Sequence, residues 1–413
     1  MRISTSMIFD AGVSGINQQM ATALHLQEEV SSGKRVVRPS DDPVAAAQAV
    51  QVQQAQDINT QLATNQDNAK SALGIEDTNL STANDLLTRV RELAVQAGSS
   101  TLTSANRQAI ATELRTDYDQ LMGIANATDG TGQYLFSGYK GQTQPFAGTV
   151  DDLNASPATD ITYQGDDGQR RLQITPSRYL EVSDSGNAVF KRIGAGNGYF
   201  TTGYVAGNTG TGVVSPGTVT DPTAWSGSSK NFQVQFSVVA GTTYYDVINM
   251  ATNTSILGAP VAYQSGQQIS FAGASFSITG TPAAGDKFSV QGSSSQSVFK
   301  TIANVIGALE RPVSGAASQA NYQTDISAAL VNIDQASSNI MRVRTGIGSR
   351  ENEVTSTATM NGDLKLQYAS TLSTLTDVDA VKALSDLTLA QTNLDAAEKS
   401  FKAVSGLSLF NYL

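Results

Sequence analysis

The stretch SSGKRVVRPSDDPVAAAQAV, Ser31 to Val50, separates two segments of helical pattern near the start of the chain. Proline lacks a backbone N–H and biases the residue before it toward extended geometry, so Pro39 and Pro43 exclude a continuous helix here. Gly33 suits the left-handed turn that commonly ends a helix. The pattern therefore predicts one helix that ends near Gly33, an extended connector, and a second helix with Pro43 in its first turn.

We name residues 36–45 of this connector the spoke. Ser40 or Asp41 is expected to cap the second helix, because a side-chain oxygen at that position accepts hydrogen bonds from the free N–H groups. Carboxylates are also favoured at the positive end of a helix. A chain needs such a break when its tip belongs to a different layer of structure than its body. The candidate functional residues of the spoke are Pro39, Asp41, Asp42 and Pro43.

The segment from Val52 to Ala97 has the spacing of a long helix that packs against another helix. Apolar residues recur at alternating steps of three and four, and Leu73, Leu80 and Leu87 lie seven apart. This spacing predicts a coiled-coil-like helix. Its expected end is the sequence AGSS that begins at Ala97, and a third helix is expected from about Ser104.

The C-terminal part repeats the heptad pattern. Isoleucines recur every seven residues from Ile326 to Ile347, and after a polar stretch around Asn361 the pattern restarts in a new phase at Ala380. A change of phase indicates a stutter or a break between two helices. The apolar stripes that these two heptad patterns form are called seams. Packing within one chain and packing between chains remain alternative interpretations of each seam. The candidate interface residues are Ile16, Met20, Leu387, Leu394, Phe401, Leu407, Leu409 and Phe410.

Residues 141–295 differ in amino-acid composition from both ends of the chain. They are rich in Gly, Thr, Ser and aromatic residues, and alternating runs such as Asn231–Val239 and Thr242–Asn249 predict antiparallel strands. The stretch Gly207–Thr223 contains several glycines and prolines, and we expect it to be an exposed loop.

The predicted fold class is mainly α with inserted β. It comprises a long coiled-coil-like helical bundle built from both chain ends, plus a central antiparallel β domain. The expected divisions are 1–35 for an N-terminal helix, 36–45 for the spoke, 46–140 for the first part of a helical body with a hairpin, 141–295 for the β domain, 296–368 for the second part of the body, and 369–413 for a C-terminal helix.

Composition argues against several classes of function. A net charge of −10 disfavours a nucleic-acid partner, and the lack of cysteine excludes disulfides and thiolate metal sites. The one histidine, His25, is interpreted as a helix-surface or seam residue. The pairs Asp151-Asp152 and Asp166-Asp167 lack the alternating spacing of a calcium loop. We therefore expect no catalytic, cofactor-binding or metal-binding residues, no cofactor and no membrane partner.

Five motifs together carry a family resemblance. They are MRISTSM from Met1, SSGKRVVRPSDDPVAAAQA from Ser31, LTRVRELAVQA from Leu87, ANATDGTGQYLFSGYK from Ala125, and SGLSLFNYL at the end. With these motifs the chain resembles the bacterial flagellin superfamily, over both helical ends and more weakly in the middle. The resemblance implies a structural protein of the bacterial flagellum that forms the junction between hook and filament by axial self-assembly of its terminal helices.

The resemblance also implies partners and location. The implied partners are further copies in a homo-oligomeric ring, a neighbouring hook-associated protein, flagellin, and a cytoplasmic export chaperone that binds the C-terminal end. The implied arrangement has terminal helices in an inner tube layer, and long helices with a hairpin around Tyr134 to Tyr139 in an outer one. The N-terminus lacks the features of a cleaved secretory signal, so export to the extracellular flagellum is expected without one.

Two alternatives remain at this stage. One is flagellin itself, the filament subunit. The other, of a different class, is a ligand-binding, glycan-binding or enzymatic β region carried on a flagellar scaffold. A convergent polar pocket within residues 141–295 would favour the second alternative, although these residues include no histidine and no cysteine.

Overall fold

The computed structural model describes residues 5–99, 101–155 and 160–406. The chain divides into two compact units. The terminal unit takes residues up to Asn65 and from Ser356 onward, and the central unit takes Gln66–Thr355. The helices, numbered in chain order, are α1 Thr5–Ser32, α2 Pro43–Ala97, α3 Ser104–Ala125, α4 Val150–Asn154, α5 Pro222–Ser226, α6 Val298–Glu310, α7 Ala316–Thr376 and α8 Ala380–Gly406, with a short π-helix at Asn187–Lys191.

The helix boundaries follow the local signals in the sequence. Helix α1 ends one residue before Gly33, whose φ of +69° is the left-handed geometry that glycine adopts readily. Helix α2 ends at Ala97 and α3 begins at Ser104, as predicted. The phase change in the C-terminal part is a break at residues 377–379. Helix α7 runs through Asn361 and past residue 368, where the sequence suggested a division, to Thr376.

The cap of α2 differs from the expectation. Asp42, rather than Ser40 or Asp41, is the capping residue, because its Oδ1 accepts the backbone N–H of Ala45 at 3.0 Å and Pro43 is the first helical residue. Asp42 directly follows the predicted candidate Asp41 and carries the same carboxylate. The side chain of Asp41 turns back to the connector instead, and only the folded path of the chain decides between them.

The strands all pair antiparallel, which confirms the predicted β type. They are β1 Phe146–Ala147, β2 Thr162–Tyr163, β3 Arg171–Thr175, β4 Arg178–Glu181, β5 Ile193–Gly194, β6 Phe200–Tyr204, β7 Val213–Val214, β8 Thr218–Val219, β9 Asn231–Val239, β10 Thr242–Asn249, β11 Thr254–Ser255, β12 Val261–Ala262, β13 Gln268–Phe271, β14 Ala274–Thr279, β15 Lys287–Gly292 and β16 Ser295–Gln296.

The main sheet has the order β11-β10-β9-β15-β6, with β12 also pairing with β10. Strands β9 and β10 have the predicted bounds. They meet in a two-residue turn at Ala240 and Gly241, whose φ angles of 50° and 81° match the tight turn of a β-hairpin. A second sheet joins β13, β14, β7 and β8.

The expectation of an exposed loop at Gly207–Thr223 is wrong. This stretch contains β7 and β8, which both pair with β14, and Val214 is buried. Each strand has only two residues, too few to show alternation, and the partner β14 lies more than fifty residues further along the chain. The ladder is therefore a non-local feature that the local pattern does not reveal.

The central unit has two separate apolar cores. The first joins the seams of α2 and α7 with α3, α6 and residues 146–193, and it contains a cluster of aromatic rings that includes Phe146, Phe190 and Phe299. The second lies within residues 200–290 and includes the single tryptophan, Trp225. The chain crosses from one core to the other at residues 194–199 and returns at residues 291–297.

The region of the expected hairpin, Tyr134 to Tyr139, consists of turns with one isolated antiparallel bridge, Thr128 to Tyr134. The Asp129 carboxylate accepts backbone N–H groups of Thr131 and Gln133 at 2.9 and 3.0 Å, which holds the turn. Among the described residues, no helix has an apolar stretch long enough to cross a bilayer.

Candidate functional site

Helices α1 and α8 pair within the terminal unit. The rings of Phe9 and Phe401 lie with their centroids 5.1 Å apart. The same Phe401 ring covers Gly12, where a Cβ would lie 2.6 Å from its Cδ2 atom. Glycine at this position therefore allows the close approach of the two helices. A groove of about 330 Å³ beside this contact is lined by Ile16 and Ala397, among others.

The candidate interface residues are placed as follows. Ile16, Leu387, Leu394 and Phe401 are half-buried, and Met20 is exposed. Leu407, Leu409 and Phe410 lie outside the described residues. The structure brings Ile16 and Phe401 to one groove between α1 and α8.

Both terminal helices leave large apolar side chains exposed. No described side chain of α1 is buried, and in the described part of α8 only Ala383 and Ala390 are. Contiguous exposed apolar surface marks an interaction site in most proteins. The exposed apolar residues are Met7, Ile8, Phe9, Val13, Met20 and Leu24 on α1, and Val381, Leu384, Leu389 and Val404 on α8.

The spoke is held by its own carboxylates. The Oδ2 atom of Asp41 accepts the backbone N–H groups of Val37 and Arg38 at 3.1 and 2.7 Å. The hydrogen bond from Arg38 is the main cause that lowers the pKa of Asp41, with His25 contributing further. His25 lies 3.3 Å from Asp41 and from Glu29, so it bridges α1 to the spoke. Pro39 and Pro43 are exposed.

The chain leaving α1 pairs with the chain entering α8, and we name this pairing the clasp, residues 33–36 with 375–378. The backbone N–H of Arg35 donates to the carbonyl of Thr376 at 2.7 Å, and the N–H of Val378 donates to that of Gly33 at 3.1 Å. The ammonium of Lys34 lies 2.7 Å from the Asp377 carboxylate, whose pKa it lowers. The clasp therefore joins both ends of the chain at the base of the two terminal helices.

The C-terminal half of the clasp was not predicted from the sequence. The available signal was the polar sequence Thr376-Asp377-Val378-Asp379 at the phase change. Asp379 caps α8 by accepting the N–H groups of Val381 and Lys382 at 3.0 and 3.1 Å. That signal predicts the start of a helix. It does not predict the pairing with residues 33–36, because the two paired segments lie more than three hundred residues apart in the chain.

The paired aspartates of the central unit have structural roles. Asp152 completes a capping box with Thr149. Asp166 accepts the N–H groups of Tyr139 and Gly168, and Asp167 pairs with Arg192. The described residues contain no cluster of His, Cys, Asp and Glu side chains that is suited to a metal ion.

A polar cleft of about 380 Å³ does lie in the central unit. It is bounded by Tyr204 of β6, Arg311 at the end of α6, and Asp325 of α7. The Arg311 guanidinium donates to the Tyr204 hydroxyl at 2.9 Å and pairs with the Asp325 carboxylate. These groups satisfy one another, and residues 141–295 offer no histidine or cysteine as a nucleophile or base.

Known proteins resemble this chain both in sequence and in structure. The sequence profile of the bacterial flagellin N-terminal helical region matches residues 3–141. Flagellar hook-associated protein 3 of Salmonella typhimurium is 26% identical to the chain, with 99% of each covered.

Two solved structures from Legionella pneumophila are also similar. Flagellar hook-associated protein-3 is 32% identical, covers 78% of this chain and 98% of its own length, and superposes with a TM-score of 0.73. The flagellar junction protein FlgL is 31% identical, covers 80% of this chain and 100% of its own length, and has a TM-score of 0.71.

Proposed function

The chain belongs to the flagellar hook-associated protein 3 family, and on this premise we propose that it is a structural subunit of the hook–filament junction. The family is structural and not enzymatic. Agreement along the full length with a hook-associated protein favours the junction over the filament, because the similar flagellins of Clostridium tyrobutyricum and Proteus mirabilis match only 34% and 36% of this chain.

The exposed apolar surface of the terminal helices is the observation that carries the mechanism. A pair of helices with large side chains such as Leu24, Val381 and Leu389 open to water gains free energy when further helices cover them. Copies of the same chain offer the same helices, and repeated copies around an axis close into a ring. Self-assembly through α1 and α8 therefore builds the junction.

The neighbours in this proposal are a further hook-associated protein on one side and flagellin on the other, both packed against the terminal helices. In the assembled tube, the terminal helices α1 and α8 supply an inner layer and the long helices α2 and α7 supply an outer one. The site of action in this proposal is the extracellular flagellum.

The spoke and clasp are proposed as the mechanical link at the base of the terminal helices. Pro39 and Pro43 prevent a continuous helix, while Asp41 and Asp42 hold the alternative path. The variant Pro39→Ala with Pro43→Ala should fold and be exported, yet attach filaments poorly. Normal motility of this double variant would remove the mechanical role of the prolines.

Before export, the apolar stripe of α8 requires protection from aggregation. We propose that a cytoplasmic chaperone covers Leu387, Leu394 and Phe401, as an amphipathic helix is bound in a groove. The full-length variant Leu394→Asp with Phe401→Asp should lose the co-purifying chaperone and should not assemble. Retention of the chaperone by this variant would assign the stripe to contacts within the chain alone.

The junction role is tested in cells that lack this protein. Electron microscopy should show hooks without filaments, with flagellin in the medium. Complementation with Leu384→Asp and Leu389→Asp, both exposed, should not restore filaments. Complementation with Thr392→Asp, at an exposed polar position of the same helix, should restore them. Normal filaments in the deletion strain would refute the junction role.

A further inference from the structure

Two short paired strands connect the β module, residues 200–292, to the rest of the central unit. Its apolar core shares no residue with the first core. The chain enters the module after β5 and returns at β16, and these two strands pair with each other through Ile193 with Gln296 and Gly194 with Ser295. A two-stranded neck therefore carries both crossings.

Polar contacts beside the neck connect the module to the helices. The hydroxyl of Tyr204 in β6 donates to Asp325 of α7 at 3.2 Å and accepts from Arg311 at 2.9 Å. The backbone N–H of Gly196, next to the neck, donates to the side chain of Asn332 at 2.6 Å. Arg311 and Asp325 are partly open to solvent, so water replaces these contacts readily when they open.

The space between these contacts is not filled by side chains. Cavities of about 380 and 260 Å³ lie along α7, and both reach Ala328 and Asn332. Protein cores are close-packed, whereas two bodies that move against each other meet through open, polar surfaces. Paired strands that carry both crossings provide a hinge, since few backbone angles must change for rotation.

We propose that the β module swings on the neck β5–β16, and that Tyr204, Arg311, Asp325 and Asn332 form a latch that holds it closed against α7. Opening breaks the Tyr204 and Asn332 contacts and leaves both apolar cores intact. The latch sets the population of the closed position, so weakening it increases the open population.

The absence of cysteine permits a direct test, because only introduced cysteines take a spin label. Val239 of the module and Met341 of α7 are both exposed and serve as the labelled pair. With the native latch, pulsed electron paramagnetic resonance should give one narrow distance distribution. With Tyr204→Phe and Asn332→Ala, the distribution should become roughly twofold wider or gain a second population.

The matched control removes a polar pair elsewhere on α7. Arg91→Gln breaks the exposed ion pair of Arg91 with Asp334, 2.7 Å long, and should leave the distribution narrow. The buried Trp225 reports separately on the module core. A narrow distribution in the latch variant, or an equally broad one with the native latch, would overturn the proposal. Broadening with a red-shifted Trp225 emission would also count against it, because unfolding would then explain the change.

Discussion

Asn59 and Asn361 exchange hydrogen bonds between α2 and α7. The side-chain amide of Asn59 donates to the carbonyl of Asn361 at 2.9 Å, and that of Asn361 donates to the carbonyl of Asn59 at 3.2 Å. Both residues are buried. A buried polar pair in an apolar seam favours one register of two helices, because a shifted register moves each amide away from the backbone carbonyl that accepts its hydrogen bond.

Removal of one member of this pair should destabilise the fold. Asn59→Ala removes the amide that donates to the backbone carbonyl of Asn361, and we expect a loss of about 1 kcal/mol in the free energy of unfolding. Asn59→Ala with Asn361→Ala removes both donors and should cost about twice as much, since each amide makes its own hydrogen bond to a backbone carbonyl. Urea unfolding followed by circular dichroism measures both. Asn68→Ala, at an exposed position of α2, is the control. Equal losses in the single and double variants would contradict the register role.

The cap of α2 should stabilise the end of the spoke. Asp42→Ala removes the acceptor for the N–H of Ala45 and the partner of Arg35, 3.1 Å away. We expect faster amide exchange in the first turn of α2, which corresponds to a local loss of about 1 kcal/mol. Asp57→Ala, at an exposed position of the same helix, should leave this turn protected. Unchanged exchange in the Asp42 variant would show that Pro43 alone is sufficient to start the helix.

Glu76 should make stability depend on pH near neutrality. Its carboxyl is buried, and burial first, with the charge of Asp184 second, raises its pKa to about 8 from an ordinary value of 4.5. Between these values the folded protein keeps a proton that the unfolded chain loses. The contribution of Glu76 to the free energy of unfolding is therefore complete below about pH 4.5. It falls by about 1.4 kcal/mol per pH unit up to pH 8.

Glu76→Gln tests this dependence, because the amide cannot lose a proton. We expect the variant to gain stability relative to the native chain as pH rises from 5 to 8, measured by urea unfolding at each pH. All other ionisable groups are present in both proteins, so the difference reports on Glu76. Glu398→Gln, at an exposed position, should give a constant difference. A constant difference for Glu76→Gln as well would mean that the carboxyl is ionised in the fold.

The close contact between α1 and α8 should require glycine at position 12 but not at position 15. Alanine for glycine in a helix normally gains about 1 kcal/mol from propensity. Gly12→Ala places a Cβ 2.6 Å from the ring of Phe401, whereas Gly15→Ala meets no atom within 4 Å. We expect Gly12→Ala to reduce incorporation into flagella and Gly15→Ala to preserve it, as measured by immunoblots of sheared preparations. Equal incorporation of both variants would show that the α1–α8 contact tolerates separation.

The terminal helices should be weakly protected in the isolated monomer. Ordering a residue costs about 1–2 kcal/mol, and small alanines such as Ala383 and Ala390 bury little apolar area in compensation. We expect hydrogen exchange in residues 1–35 and 375–413 to be fast in monomer and slow after assembly. The heptad seam of α2 around Leu80, which is fully buried, serves as the protected reference. Strong protection of both ends in monomer would contradict this prediction.

The amino-acid sequence alone determined the local features of this protein. The break at Gly33 to Pro43, the ends of α2 and the start of α3 follow from proline, glycine and periodicity, which act on the backbone within a few residues. The strands β9 and β10 were equally predictable from the sequence. Each is long enough to show alternating apolar and polar residues, and a two-residue turn joins them.

Tertiary structure decided what depends on residues distant in the chain. The sequence predicted Ser40 or Asp41 as the cap of α2, but the path of the connector turns Asp41 away from the helix and leaves Asp42 in the capping position. The clasp joins residues more than three hundred positions apart, and β7 and β8 have partners that no local pattern identifies. Glu76 occupies an ordinary position in the seam of α2, but its neutral state arises from burial beside Asp184. Such contacts depend on the three-dimensional path of the chain, because hydrogen bonds and desolvation act between neighbours in space.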